Sequence, residues 1–202
     1  MPVRPAARGH EHPTAPSTGV WVAVATITMS FAAYTSAMVV RQGTSGDWLH
    51  FRLPSILWLN TVLIVASSVA LELGRRNHAR GGTAAEGGVL TLPGPVSLTT
   101  RWIDVTLASG ILFLAGQLVA WRQLAGEGLF LATNPSSAFF YVLTALHGLH
   151  LVGGLAGLLY VRRRLRRGPA VAAGPALGAG ALYWHFMAVL WLYLLTLLVV
   201  RL

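Results

Sequence analysis

Three histidines lie inside stretches that are otherwise apolar: His147 and His150 in HGLH, and His185 in LYWHFMAVLWLY. An imidazole in such a setting can ligate a metal, bind haem iron, pass a proton or hydrogen-bond across a helix contact. Ionisable groups are costly in hydrocarbon, so they mark function or essential packing there. His147 and His150 are three apart and share a helical face. Gly154 and Gly157 continue that face, and Gly153 and Gly157 form a GxxxG pair that lets a neighbouring helix approach. The pattern predicts an interhelical seam with hydrogen-bonded histidines. A metal would need further ligands. No carboxylate lies near in sequence, and the chain has no cysteine at all. An axial haem pair needs facing histidines a tetrapyrrole apart, which two residues on one turn cannot supply; only His185 with one of the others could.

Other polar side chains in apolar surroundings are candidates too. Glu72 precedes Arg75 and Arg76. It reads either as an interfacial ion pair or as a carboxylate facing the bundle and pairing with a histidine. Asn60, Thr61, Ser67 and Ser68 can bond to backbone or to neighbouring helices. Gln117 and His185 are expected to hydrogen-bond within the bundle. Asp104, with Arg101, reads as a first-turn carboxylate at the positive end of a helix dipole. Trp184, Ala188 and Trp191 fall on one large-small-large stripe suited to gripping a helix or a lipid chain. A proton relay through Glu72 and the histidines would suit a transporter, but no span is broken by glycine and proline in the manner of such folds.

The elements that hold these residues are membrane spans. Of the 202 residues, 54% are hydrophobic and 10% charged, too few charges to solvate a globular surface of this size. The apolar runs approach the ~20 residues needed to cross a bilayer. The fold class is therefore all-α and polytopic, with helices predicted near 20–40, 54–74, 101–121, 137–161 and 178–200 as one domain over 20–202. Connector 75–100, with glycine pairs and PGP, reads as irregular. The proline-bearing residues 1–19 read as a disordered cytoplasmic tail rather than a cleaved signal peptide. The formal charge of +9 comes from arginines between the spans, which argues for topology rather than nucleic acid. With the N-terminus inside, 11 arginines lie on the inner side and 4 outside, giving N-in, C-out. The run RRRLRR at 162–167 would also attract anionic headgroups.

Together these segments resemble subunit III of the haem–copper oxidases, the cytochrome c and quinol oxidases. The resemblance covers about 180 residues. SSAFFYVLTALHGLHLVGG is similar to the family's penultimate helix and GALYWHFMAVLWLYLL to its last, with YWHF and the following tryptophan as the most specific signature. NTVLIVASSVALELGRR and FLAGQLVAWRQL resemble the two helices before them. The chain resembles the five-helix form, which lacks the first two helices of longer members. The resemblance implies a non-redox subunit of a respiratory oxidoreductase with no catalytic centre and no metal of its own. Haem and copper would belong to partners: subunit I, on which subunit III packs, and subunit II, which receives electrons. It implies support of proton uptake, protection during turnover, and phospholipids held in a cleft between helix groups. Carried over by alignment, His150, Arg164 and Arg167 match lipid contacts there. Arg164 lies 14 residues beyond His150, about 21 Å along a helix, so a phosphate at the arginines would run its tails toward His150. The location implied is a bacterial-type cytoplasmic membrane. An accessory subunit of a nitric-oxide reductase, which shares the fold, is the alternative within the family; a membrane haem carrier is one outside it. Two positions depart from the family pattern. Ile27 in TITMSFAAYTSA and Ala188 in YWHFMAVLW stand where the family usually has a glutamate and an aspartate.

Overall fold

The computed structural model describes residues 15–44, 46–86, 95–167 and 173–202. They form α1 (Ala15–Thr44), α2 (Ile56–Glu86), α3 (Pro95–Gly126), α4 (Pro135–Arg167) and α5 (Gly174–Arg201). Five of the helices among the described residues are long and apolar enough to cross a membrane. The chain is an integral membrane protein of all-α class.

The helices outrun their predicted ends, for identifiable reasons. α2 continues past the predicted 74 through Gly81 and Gly82 to Glu86. Glycine in a helix costs about 1 kcal/mol against alanine but leaves the hydrogen-bond ladder intact, so it does not end a helix by itself. Proline does, and α3 begins at Pro95, where its missing N–H is harmless. The irregular connector predicted over 75–100 is thus mostly helix; its remainder, 87–94, lies outside the described residues, as do residues 1–14 of the predicted tail. α4 runs on through RRRLRR to Arg167. Arginine and leucine are good helix formers, and basic side chains suit a helix C-terminus. At its other end Asn134 caps α4, its Oδ1 accepting from the Ser137 N–H at 2.8 Å, with Pro135 as the first helical residue.

α5 is the axis of the bundle and packs against α1, α2 and α4. Its buried positions recur every three or four residues, through Leu177, Ala181, Trp184, Met187, Ala188, Trp191, Leu194, Leu195 and Leu198. α2 and α3 form the closest pair. A Cβ at Gly74 would lie 2.9 Å from Trp102 Cβ, and Thr106 Oγ1 donates to the Ser67 carbonyl at 3.3 Å. α1 packs on α5 and α4, with Tyr193 donating to Thr35 Oγ1 at 2.9 Å. Between α1 and α2 the loop closes onto the end of α5. The Phe51 N–H donates to the Leu202 carbonyl at 3.0 Å, and Trp48 Nε1 to that of Arg201 at 2.9 Å.

Asp104 is not in a first turn, because α3 begins at Pro95, six residues before the predicted start at 101. It instead meets α4, bonding to Arg162 Nε and lying 3.5 Å from Arg166. Both partners of the closer pair are partly exposed, at 39% and 26%. Exposed pairs contribute about 0–1 kcal/mol. Asp104→Asn should therefore shift the unfolding of the purified protein by less than about 1 kcal/mol. A loss several times larger in a detergent thermal melt would show that this pair is far more desolvated than its exposure indicates.

Candidate functional site

The histidines do not form one seam. His147 is fully buried; its ring centroid lies 5.7 Å from Phe113 on α3 and 5.2 Å from Trp191 on α5. His150, partly buried, turns toward α1, 6.0 Å from the Phe31 ring, and its Nδ1 lies 2.7 Å from the Leu146 carbonyl of its own helix. Three residues on a helix differ by 60° in direction, enough here to reach different neighbours. The seam expectation is also corrected at the glycines. Gly154 is the packing residue: a Cβ there would meet Tyr183 at 3.0 Å and Trp184 at 3.3 Å. Gly157 has no such neighbour within 4 Å, and Gly153 meets only the Tyr183 hydroxyl at 3.9 Å. The two sit one position away from the buried stripe of Leu151, Gly154 and Leu158.

A second correction concerns hydrogen bonding. Both ring nitrogens of His147, and both amide atoms of Gln117 and of Asn60, are buried without a hydrogen-bond partner among the described residues. Phe113 and Trp191 occupy the space around His147, and those rings bring no acceptor to it. Asn60 is pressed against the α3 backbone, where Gly116 has no side chain. The hydroxyls named with Asn60 do find partners. Thr61 donates to the Leu57 carbonyl at 2.8 Å and accepts from Trp191 Nε1 at 3.0 Å. Ser67 donates to the Ile64 carbonyl at 2.7 Å and accepts from Trp184 Nε1 at 3.0 Å. The tryptophan stripe of α5 thus grips helices of this chain itself.

The polar chain that does converge joins α2 and α5. Ser68 Oγ lies 2.5 Å from His185 Nδ1. The other nitrogen of that ring, Nε2, is 3.7 Å from Glu72 Oε2. Glu72 is held in turn by Arg75 Nε at 2.8 Å and Arg76 Nε at 2.8 Å. Glu72 thus forms the ion pair three and four residues along its helix, and it approaches His185 across an open groove rather than in the bundle interior. Ala188 lines the same groove, which has a volume of about 480 Å³. Sequence does not name this meeting of helices, because Ser68 and His185 are 117 residues apart. Helical spacing assigns a face to each residue without naming the helix opposite.

A second groove, of about 470 Å³, lies between α1, α4 and α5. Gly153, Gly157 and Tyr160 form its α4 wall and Gly19 and Ala23 its α1 wall. It starts one turn past His150 on α4, and the Tyr160 hydroxyl lies 3.4 Å from an Arg164 nitrogen. Arg164 and Arg167 stand exposed on the last turns of that helix. Among the described residues no three of His, Asp and Glu converge as a metal would require.

Comparison with known proteins follows the same helices. The family model described as cytochrome c oxidase subunit III matches residues 27–200. A protein of Thermostichus vulcanus named cytochrome c oxidase subunit 3 is 29% identical over 94% of this chain and 89% of its own length. One of the same name from a Synechocystis strain is 29% identical over 92% of this chain and 75% of its own. A probable cytochrome c oxidase subunit 3 of Nocardia farcinica is 29% identical over 89% of this chain and 85% of its own.

Proposed function

The chain belongs to the cytochrome c oxidase subunit III family, and on that premise we propose that it is the non-redox accessory subunit of a respiratory terminal oxidase. The observation that carries this reading is a match running through all five helices, from within α1 to the last turn of α5. In this role the chain supplies a membrane scaffold. It packs on a catalytic subunit I that carries haem and copper, beside a subunit II, and supports proton uptake and stability during turnover. Its place is the cytoplasmic membrane of a bacterium, as the organisms of its relatives support. The arginine bias gives N-in, C-out. The turn of α4 that bears Arg164 and Arg167 then lies on the inner side, at a lipid-water boundary.

Lipid holding belongs to the groove between α1, α4 and α5. A phosphate at Arg164 and Arg167 continues into a slot floored by glycine, where small side chains leave room for acyl chains. His150 stands just beyond the far end of that slot.

The test is purification of the tagged chain in mild detergent from the organism's own membranes. The expected result is a complex whose Soret band belongs to a larger subunit, and which consumes oxygen. Recovery of the chain by itself, with no haem-bearing partner, would sink the reading. A complex that reduces nitric oxide but not oxygen would move it to the reductase branch of the same fold.

A further inference from the structure

We propose that the groove between α2 and α5 is a separate binding site for one anionic phospholipid, with the phosphate at Arg76 and an acyl chain along the two helices. This groove is distinct from the one between α1, α4 and α5, and the inference does not depend on the oxidase assignment. Its walls are Val65, Val69 and Leu73 on α2 and Val189 and Leu192 on α5. These side chains are 39–64% exposed, so no part of the described chain covers them. A smooth apolar wall alone would hold only ordinary boundary lipid. Here it ends in charge.

Two guanidiniums share the single carboxylate of Glu72, which leaves one positive charge in excess. Arg75 is the one consumed: it clamps both carboxylate oxygens, through Nε at 2.8 Å and Nη2 at 2.9 Å. Arg76 commits only its Nε to Glu72, and its side chain is 64% exposed at the mouth of the groove. Its two Nη groups remain as a fork, the geometry that takes two phosphate oxygens at once. Glu72 thus orients the fork and prevents its collapse onto the surface.

A second polar level lies deeper. Glu72 to Ser68 is one helical turn, and His185 crosses there from α5. Its Nδ1 is taken by Ser68, while Nε2 has only Glu72, at 3.7 Å, beyond hydrogen-bond distance. The imidazole edge is 37% exposed in the groove. It offers a hydrogen bond at the depth where a glycerol ester follows the phosphate. Polar, polar, then apolar is the order of a phospholipid from headgroup to tail. The excess positive charge selects an anionic one over a zwitterionic one.

The experiment uses the full chain as it purifies from its own membranes, with whatever partners it retains, reconstituted with phosphatidylglycerol carrying a diazirine in one acyl chain, or with the matching phosphatidylcholine. Adducts are mapped on peptides of α2 and α5. Phosphatidylglycerol should label 65–73 and 189–192 about fivefold more than phosphatidylcholine, the factor one arginine contributes near an anionic headgroup. Arg76→Gln should abolish that preference, and Arg76→Lys should restore most of it. Both changes are at an exposed side chain, so folding is kept; Arg164→Gln should leave these peptides unaffected. Equal labelling by the two lipids would overturn the proposal in favour of boundary lipid. Absence of label in the complex would overturn it in favour of a partner subunit seated on the groove.

Discussion

Trp184→Ala should destabilise the bundle by about 3 kcal/mol, more than any conservative change elsewhere in the core. The side chain is wholly buried. Its Nε1 donates to Ser67 on α2 at 3.0 Å. A Cβ at Gly110 on α3 would lie 2.7 Å from its ring tip, and one at Gly154 on α4 would lie 3.3 Å from its ring edge. One indole therefore joins three helices to α5, with two glycines shaped to receive it. In a soluble core such a truncation costs roughly 3–5 kcal/mol. The lower end applies here, because lipid solvates an exposed indole nearly as well as protein does and only packing and the hydrogen bond are lost. Trp184→Phe separates the two contributions: it keeps most of the volume and should cost about 1 kcal/mol for the missing donor. Thermal unfolding of the purified protein in a fixed detergent gives both values. An alanine variant no less stable than the phenylalanine one would refute the three-helix role.

The second large effect is Gly116→Ala, and its informative part is the rescue. The new Cβ would lie 2.1 Å from Asn60 Oδ1 and 3.0 Å from its Cγ. Asn60 is itself fully buried on α2, so it has little space to retreat into. Overpacking of this kind costs about 1–3 kcal/mol. Asn60→Ala alone should be nearly neutral, because the amide it removes is buried without a hydrogen bond. In the double variant the added methyl group fills space the amide vacates, and most of the lost stability should return. Contacting residues couple by about 0.5–3 kcal/mol in such cycles. Additive losses in the double variant would show that the amide does not press on Gly116.

Much of this architecture was legible in advance. Apolar runs broken by charge gave five spans in the right order, and HGLH and YWHF contain the buried His147 and Trp184, while His150 and His185 are only partly buried. What stayed hidden was the identity of neighbours. Periodicity could not separate Gly154, which receives Trp184, from Gly153 and Gly157, which open onto a groove one notch round the helix. Composition could not reveal that Arg162 reaches Asp104 across 58 residues, because charge runs look alike whether they meet solvent, lipid or another helix. His147 and Gln117 misled for a further reason. A polar side chain predicts a hydrogen bond only when a partner lies within reach, and here aromatic rings fill the place around His147. Of the two readings of Glu72, the ion pair is the one formed, with Arg75 and Arg76, while His185 stands 3.7 Å away across an open groove rather than in the bundle interior.

The packing of α1 on α5 and α4, with the α1–α2 loop tied to residues 201 and 202, bears on the order of biosynthesis. Chains insert from the N-terminus as they are made, and helices then associate within the bilayer. α2 and α3 are adjacent in sequence and most closely packed, so that hairpin can form as soon as both are inserted. α1 is made before α2 to α5 but has its neighbours α4 and α5 only once those two helices follow. Until then the two helices it packs against are missing, and the translation of α5 supplies the contacts that join α1 and its loop to the other helices.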